Sequence, residues 1–455
     1  MLIYRDALLR KQILTIAGPA MGEMIMYMII GVVDIAVVGR LGASPLAAVS
    51  LGAEVFFSLV LFLEALAIGA NVLVAQAKGA GNHSQMRSYT AHTIVMALVL
   101  GFILQALGLL YTQDIIGLFA VEPAVAQQAY DYLYITFLIA PFALLMYMTN
   151  AVFRGLGRTD IPMVIAVIVN IVNVAGDFLL VFGLAGFPKM GVAGAAAATA
   201  VAHVLGCVLA LTAIFFGFGG IRPRWREFVR LKLKHFKDIL TLGIPSLVEQ
   251  FFYITSNLLS IYLLVFLGTI SFATHQLAVT VESISFMPGI GIAIAATTLV
   301  GQSVGARDPK SAQRAAQGCI ELSMVIMGFF ALVFALVPSW IAGLFTNDAD
   351  IIPLAEVIIR VAALEQLTIA FTTVASGILK GSGNTRTPML ISLAFTWFFR
   401  LPLMYVMVKI WSTPLLYLWI LFVFDWLLRS WVYFILYRRK SWLRPAMAEN
   451  TSSAN

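Results

Sequence analysis

Charged residues are scarce in this chain. Of 455 residues, 22 are Asp or Glu and 29 are Lys or Arg, so only 11% carry charge, while 61% are hydrophobic. A soluble globular protein is about 25% charged, and this composition cannot cover a surface in water. Cysteine is nearly absent. Cys207 and Cys319 each sit inside an apolar run, which excludes a disulfide framework or a cysteine metal site. No GxxxxGK[ST] segment occurs, so the chain carries no nucleotide-driven engine of that type. His92, His203 and His275 are scattered without metal-ligand spacing. The first apolar segment contains Pro19, Glu23 and Asp34, unlike the core of a cleavable signal peptide.

What is present is apolar sequence in long runs. Mean hydropathy is +0.95. Twelve segments are long enough to span a bilayer: 10–39, 46–77, 88–112, 124–152, 161–184, 190–217, 238–267, 271–304, 312–338, 351–379, 387–409 and 412–437. The predicted fold class is an all-α polytopic membrane protein. Basic residues gather in the loops after even-numbered helices and at the termini, whereas the odd-numbered loops hold only Arg40, Lys189 and Lys409. The positive-inside rule places both termini in the cytoplasm, and the even helix count requires the same. The net charge of +7 is therefore a matter of membrane orientation, and no nucleic-acid partner is expected.

The chain is written twice. "LTIAGPAMGEMIMY" (14–27) and "LTLGIPSLVEQFFY" (240–253) share Leu, Thr, Pro, Glu and Tyr at a shift of 226. The same shift aligns "RGLGRTDIPM" (154–163) with "KGSGNTRTPM" (380–389), without a gap from residue 14 to 163. Each repeat holds six helices, so the halves are predicted as two six-helix bundles related by a pseudo-two-fold axis along the membrane normal. This divides the chain into an N-lobe (1–220), a basic amphipathic linker on the inner membrane surface (221–237), a C-lobe (238–440) and a polar tail (441–455). Such an architecture points to a solute transporter with alternating access.

Carboxylates inside apolar helices are costly and mark function by default. Asp34 and Asp177 stand out. Each lies in the outer half of its helix, and in "NIVNVAGDFLL" (170–180) Asn173 and Asp177 are four apart on one helix face. At the 226 shift Asp34 meets Ser260 and Asp177 meets Leu403, so the pair is private to one half. Two carboxylates and an amide oxygen can hold Na⁺ or a shared proton; a plain hydrogen bond across the lobe is the alternative. Glu23 and Glu249 recur at one repeat position, four residues after Pro19 and Pro245, which favours a structural role. Glu249 and Tyr27 are also placed as candidate lining of a substrate cavity. Pro19 removes a helix hydrogen bond and is the candidate bend of helix 1. Glu282, Glu321, Glu365 and Asp425 show no local partner pattern.

The segments "VDIAVVGRLG", "FRGLGRTDIPM", its echo "LKGSGNTRTPM" and "GVAGAAAAT" resemble the multidrug and toxic compound extrusion (MATE) family, in its DinF-like branch, over residues 10–440. The resemblance implies export of amphipathic, mostly cationic compounds in exchange for H⁺ or Na⁺, with no cofactor and no enzymatic activity, by a monomer in the cell membrane among its lipids. It carries the first-lobe ion site to Asp34, Asn173 and Asp177, with Asn150 and Thr199 as supporting polar groups. The chain departs from NorM-like members in the second lobe, having Tyr253 and Ile369 where those place acidic residues. A flippase for lipid-linked precursors is a second reading, disfavoured by the few Arg and Lys within helices. An integral-membrane enzyme would need a metal or acid-rich loop motif, which the sequence does not contain.

Overall fold

The computed structural model describes residues 6–119 and 121–443. Among these residues there are helices and no β-strand. Eleven helices are long and apolar enough to cross a membrane. They are α1 (Ala7–Leu41), α2 (Ala43–Gly79), α3 (His83–Gly117), α5 (Asp160–Phe182), α6 (Val192–Phe216), α7 (Leu233–Val265), α8 (Thr269–Gly305), α9 (Pro309–Leu336), α10 (Ile351–Gly381), α11 (Arg386–Ile410) and α12 (Leu415–Arg438). The twelfth, α4, is a bent pair, Pro123–Leu138 and Ala140–Gly155, meeting at 56°. Its bend sits at Ile139, two residues before Pro141, where a missing N–H and the clash of the proline ring interrupt the helix. The twelve expected spans are therefore found, most of them longer than their apolar windows. Large apolar side chains such as Leu110, Leu332, Phe398 and Trp431 stand exposed on them, as lipid-facing residues do.

The repeat is structural. In "RGLGRT" and "KGSGNT" the two glycines have separate duties. A Cβ on Gly155 would run into the carbonyl of Asn71, and one on Gly381 into that of Thr297. These are repeat-equivalent close approaches, of α4 to α2 and of α10 to α8. Gly157 (φ +67°) and Gly383 (φ +92°) then turn the chain in a conformation that side-chain-bearing residues rarely adopt. The helices that follow the second spans are capped alike. Asn82 accepts from the Gln85 N–H at the start of α3, and Asp308 accepts from Lys310 and Ser311 at the start of α9. Hydrogen bonds from Ser311 hold the Asp308 carboxyl below its ordinary range.

Packing divides the chain into two compact units whose seams fall at Met21/Gly22 in α1 and at Leu247/Val248 in α7, positions again 226 apart. One unit holds Gly22–Ala77 and Asn82–Leu247; the other holds the described residues up to Met21, Lys78–Gly81 and the described residues from Val248 onward. Each of the two helices thus begins in one core and continues in the other. Leu9, Ile13, Ile16 and Ala17 are buried with Ile292 and Ala375, while Ile239 at the start of α7 is buried with Leu66 and Ala70. Both seams lie two or three residues past the prolines Pro19 and Pro245, and both helices run unbroken through them. The basic linker forms one short helix, Trp225–Val229, not a longer amphipathic one. Trp225 and Val229 stand exposed, and Arg87 of α3 pairs with Glu227 at 3.3 Å. The polar tail lies outside the described residues except for Ser441–Leu443, where Trp442 and Leu443 are buried.

Gly155→Ala and Gly381→Ala are each expected to push a helix pair apart. Overpacking of this kind costs about 1–3 kcal/mol, and thermal unfolding of the purified variants in detergent should show a midpoint lowered by several degrees in both. An unchanged midpoint would contradict the close approach.

Candidate functional site

Four helices of the first unit bring one polar cluster together. The "GVAGAAAAT" opening of α6 is nearly all small residues, so its backbone lies against α5. A Cβ on Gly194 would meet the carbonyl of Leu180, and one on Gly176 would meet Ala198. This closeness lets Asn173 Nδ2 donate to Thr199 Oγ1 at 3.3 Å. Asn173, Asp177 and Thr199 are buried. Asp34, on α1, is half-buried. Its carboxyl is within side-chain hydrogen-bonding reach of Asp177. Three of the four carboxylate oxygens of the pair, together with Asn173 Oδ1, are buried with no hydrogen-bond partner among the described residues. Such a group of unmet acceptors calls for a proton or a cation. Tyr132 of α4 faces both carboxyls and is fully buried, in a space kept open by Gly52. Nothing in the sequence singles out Tyr132, because one more tyrosine in "YDYLY" has no distinguishing spacing.

Asn150 and Tyr27 sit elsewhere. With Asn170, Tyr147 and His203 they line a cavity of about 20 Å³ within the same unit, closed by Phe57, Met146 and Val169. Asn170 Nδ2 ties α5 to α1 through the Met26 carbonyl at 3.2 Å. Both polar atoms of the Asn150 side chain are buried and have no hydrogen-bond partner among the described residues, as is the case for Asn170 Oδ1.

Glu23 and Glu249 are neutralised in the same way in both repeats. Arg154 grips Glu23 with two bonds, Nη2 at 2.6 Å and Nε at 3.2 Å, and reaches Glu64 at 3.3 Å. Tyr27 donates to Glu23 at 3.0 Å. At the 226 shift Glu249 pairs with Lys380 at 2.9 Å and accepts from Ser392 at 3.1 Å. Arg154 and Lys380 are themselves repeat mates. Glu249 is thus held in an ion pair. Glu64 has no acidic mate, since Ile290 stands at the corresponding position.

A second charged cluster lies in the other unit, built of residues whose partners are remote in sequence. Asp425 sits between Arg400 (2.5 Å) and Arg429 (2.9 Å). The Glu282 and Glu365 carboxyls are in hydrogen-bonding reach of each other, and Ser285 donates to Gln366 beside them at 2.5 Å. Arg400 ends a π-helical turn, Thr396–Arg400, inside α11, a distortion frequent at functional sites. Only Asp425–Arg429, four apart on α12, could be read from spacing.

Removing Arg154 leaves Glu23 and Glu64 buried without a cation. Arg154→Met is expected to cost about 3–5 kcal/mol. Lys380→Met removes the cation of a pair whose side chains are 17% and 19% exposed and should cost about 1 kcal/mol. Parallel thermal unfolding of the two variants checks this order, and equal losses would contradict it.

The comparisons with known proteins agree with this architecture. The MatE family matches the chain twice, over residues 19–179 and 245–406, at starts 226 apart. A probable multidrug resistance protein NorM of Thermotoga maritima is 31% identical over 446 residues, covering 96% of this chain and 94% of the relative. Another of that name, from Rhizobium meliloti, is 30% identical and covers 83% and 82%. Among solved structures, an outward-facing multidrug resistance MATE family transporter of the MOP superfamily superimposes with TM-score 0.88 at 20% identity, covering 97% of each chain. A MATE bound to MaL6 gives 0.89 at 21% identity, covering 96% and 97%. With the family matched in both halves and most of the length shared with these relatives, the chain belongs to the MATE family of membrane transporters and is not an enzyme.

Proposed function

We propose that this protein is a secondary antiporter that exports amphipathic, mostly cationic compounds in exchange for H⁺, with the Asp34–Asp177 pair as the coupling switch. The observation that carries the reading is the contact of two carboxyls, one on α1 and one on α5, with three acceptor oxygens unmet. Two carboxylates this close cannot both stay charged in an apolar bundle, and one proton shared between them removes the conflict. Asn173, supported by Thr199, adds a further oxygen at the pair. The same oxygens would suit Na⁺, which makes Na⁺ the second candidate ion. The exported cation and the coupling ion would then compete for one negative site, and the two lobes would expose it alternately to either side of the membrane. The pair's place on α1 and α5 supports assignment to the DinF-like branch. The chain would act as a monomer in the cell membrane with both termini cytoplasmic, as the loop charges favour. Arg400 and Arg429 are engaged by Asp425, which argues against a basic cavity for lipid-linked anions.

The test is transport in liposomes loaded with ethidium, driven first by an imposed H⁺ gradient and then by an Na⁺ gradient. Wild type should move ethidium under the H⁺ gradient, and Asp34→Asn and Asp177→Asn should fall to the rate of empty liposomes. Full coupled transport by either variant would reduce that residue to a hydrogen-bonding group. Transport under Na⁺ alone would name Na⁺ as the coupling ion.

A further inference from the structure

The first unit holds two acidic stations. One is the Asp34–Asp177 pair. The other is Glu23 and Glu64 around Arg154, which carries two carboxylates for one guanidinium and so can accept one proton and become neutral. Glu23 and Asp34 are eleven residues apart on α1, roughly 16 Å along the helix. A proton cannot pass directly over that distance, but a line of polar groups runs between the stations. From Asp177, the Asn173 amide of the same helix face donates to Thr199. One turn further along α6, His203 Nδ1 bonds the Thr199 carbonyl at 2.9 Å. His203 Nε2 faces the Tyr147 hydroxyl at 3.4 Å. The Tyr147 and Tyr27 rings are 5.7 Å apart, and Tyr27 donates to Glu23.

Chemistry fixes the roles along this line. A carbonyl can only accept, so His203 Nδ1 carries the hydrogen and Nε2 presents its lone pair. His203 lines the cavity together with Tyr27, Asn150 and Asn170. That cavity of about 20 Å³ has room for about one water molecule. The unpartnered atoms of Asn150 and Asn170 supply the donors and acceptors that a water there would need. The groups facing His203 are Tyr147 of α4, Tyr27 of α1, the Phe57 ring of α2 at 5.7 Å, and the two asparagines. None of them carries a charge that would fix the imidazole in one state.

We propose that His203 is a proton relay between the Asp34–Asp177 pair and the Glu23–Arg154–Glu64 triad. This rests on the H⁺-coupled reading above. The Asp pair gives its proton to His203 Nε2, forming an imidazolium that keeps its Nδ1–H bond to Thr199. The same nitrogen then releases the proton through Tyr147 and Tyr27 to Glu23 or Glu64, which leaves the imidazole neutral and the triad neutral. One proton is moved and none is created.

The test uses the full-length protein in liposomes, with His203→Gln and Tyr147→Phe beside wild type, following H⁺-driven ethidium transport across a range of pH. Ethidium binding to each purified protein is measured in parallel. His203→Gln should slow H⁺-driven transport roughly a hundredfold, the scale on which a positioned proton donor or acceptor acts. Tyr147→Phe should slow it by less. Both should bind ethidium as wild type does. Two variants that keep the wild-type rate and pH profile would overturn the relay, and so would a loss of binding that matches the loss of transport. Wild type driven by Na⁺ alone overturns the H⁺ reading and the relay with it, and that failure is visible before any variant is compared.

Discussion

An ionised side chain inside an apolar helix bundle must find a partner of opposite sign or cease to be ionised. Most of this molecule's internal charges obey the first alternative. Arg154 closes on Glu23 and Glu64, Lys380 on Glu249, and Arg400 and Arg429 on Asp425. These contacts tie α1 to α2 and α4 in one unit, and α7 to α10 and α11 to α12 in the other. Two carboxyl pairs escape this neutralisation. Among the described residues, no basic residue pairs with Asp34–Asp177, and Glu282–Glu365 lies near Arg400 without an ion pair to it. The first pair is the one to which the proposed function assigns the mobile ion.

The duplication explains which parts are scaffold. Glu23–Arg154 and Glu249–Lys380 are one interaction present twice. The glycine close approaches at 155 and 381, the left-handed turns at 157 and 383, and the caps at 82 and 308 are likewise each present twice. A transporter of two similar halves needs these joints in both. Where the halves differ, chemistry has been added. Asp34, Asp177 and Glu64 have no acidic counterparts, and the Arg400–Asp425–Arg429 cluster belongs to the second half alone.

Much of this was legible in the sequence, and the reason is periodicity. Twelve apolar runs, one constant shift and the four-residue spacing of Asn173 and Asp177 are all local or repeated signals. The structure brings those two residues to Thr199, and Asp34 to Asp177. The resemblance groups Asn150 with them, whereas in the structure it lines the cavity of His203 and Tyr27. The remaining features depend on meetings between distant residues. Arg154 is 131 residues from Glu23, and Arg400 is 25 from Asp425 across a helix boundary, so no spacing rule connects them. Tyr132, Tyr147 and His203 look like ordinary members of apolar helices until the fold turns them inward. The seams at Met21 and Leu247 were hidden for a related reason, since an unbroken helix gives no composition change where its packing partners change.

The exchange of a proton for a cation proposed for Asp34–Asp177 can be tested without a membrane. Calorimetric titration of the detergent-purified protein with ethidium, repeated in two buffers of different ionisation enthalpy, reads the protons released on binding. Release of about one proton per ethidium by wild type, absent in Asp34→Asn, is the expected result for a pair that shares a single proton. Identical heats in both buffers for wild type would show that the cation binds without displacing a proton, and would contradict the switch.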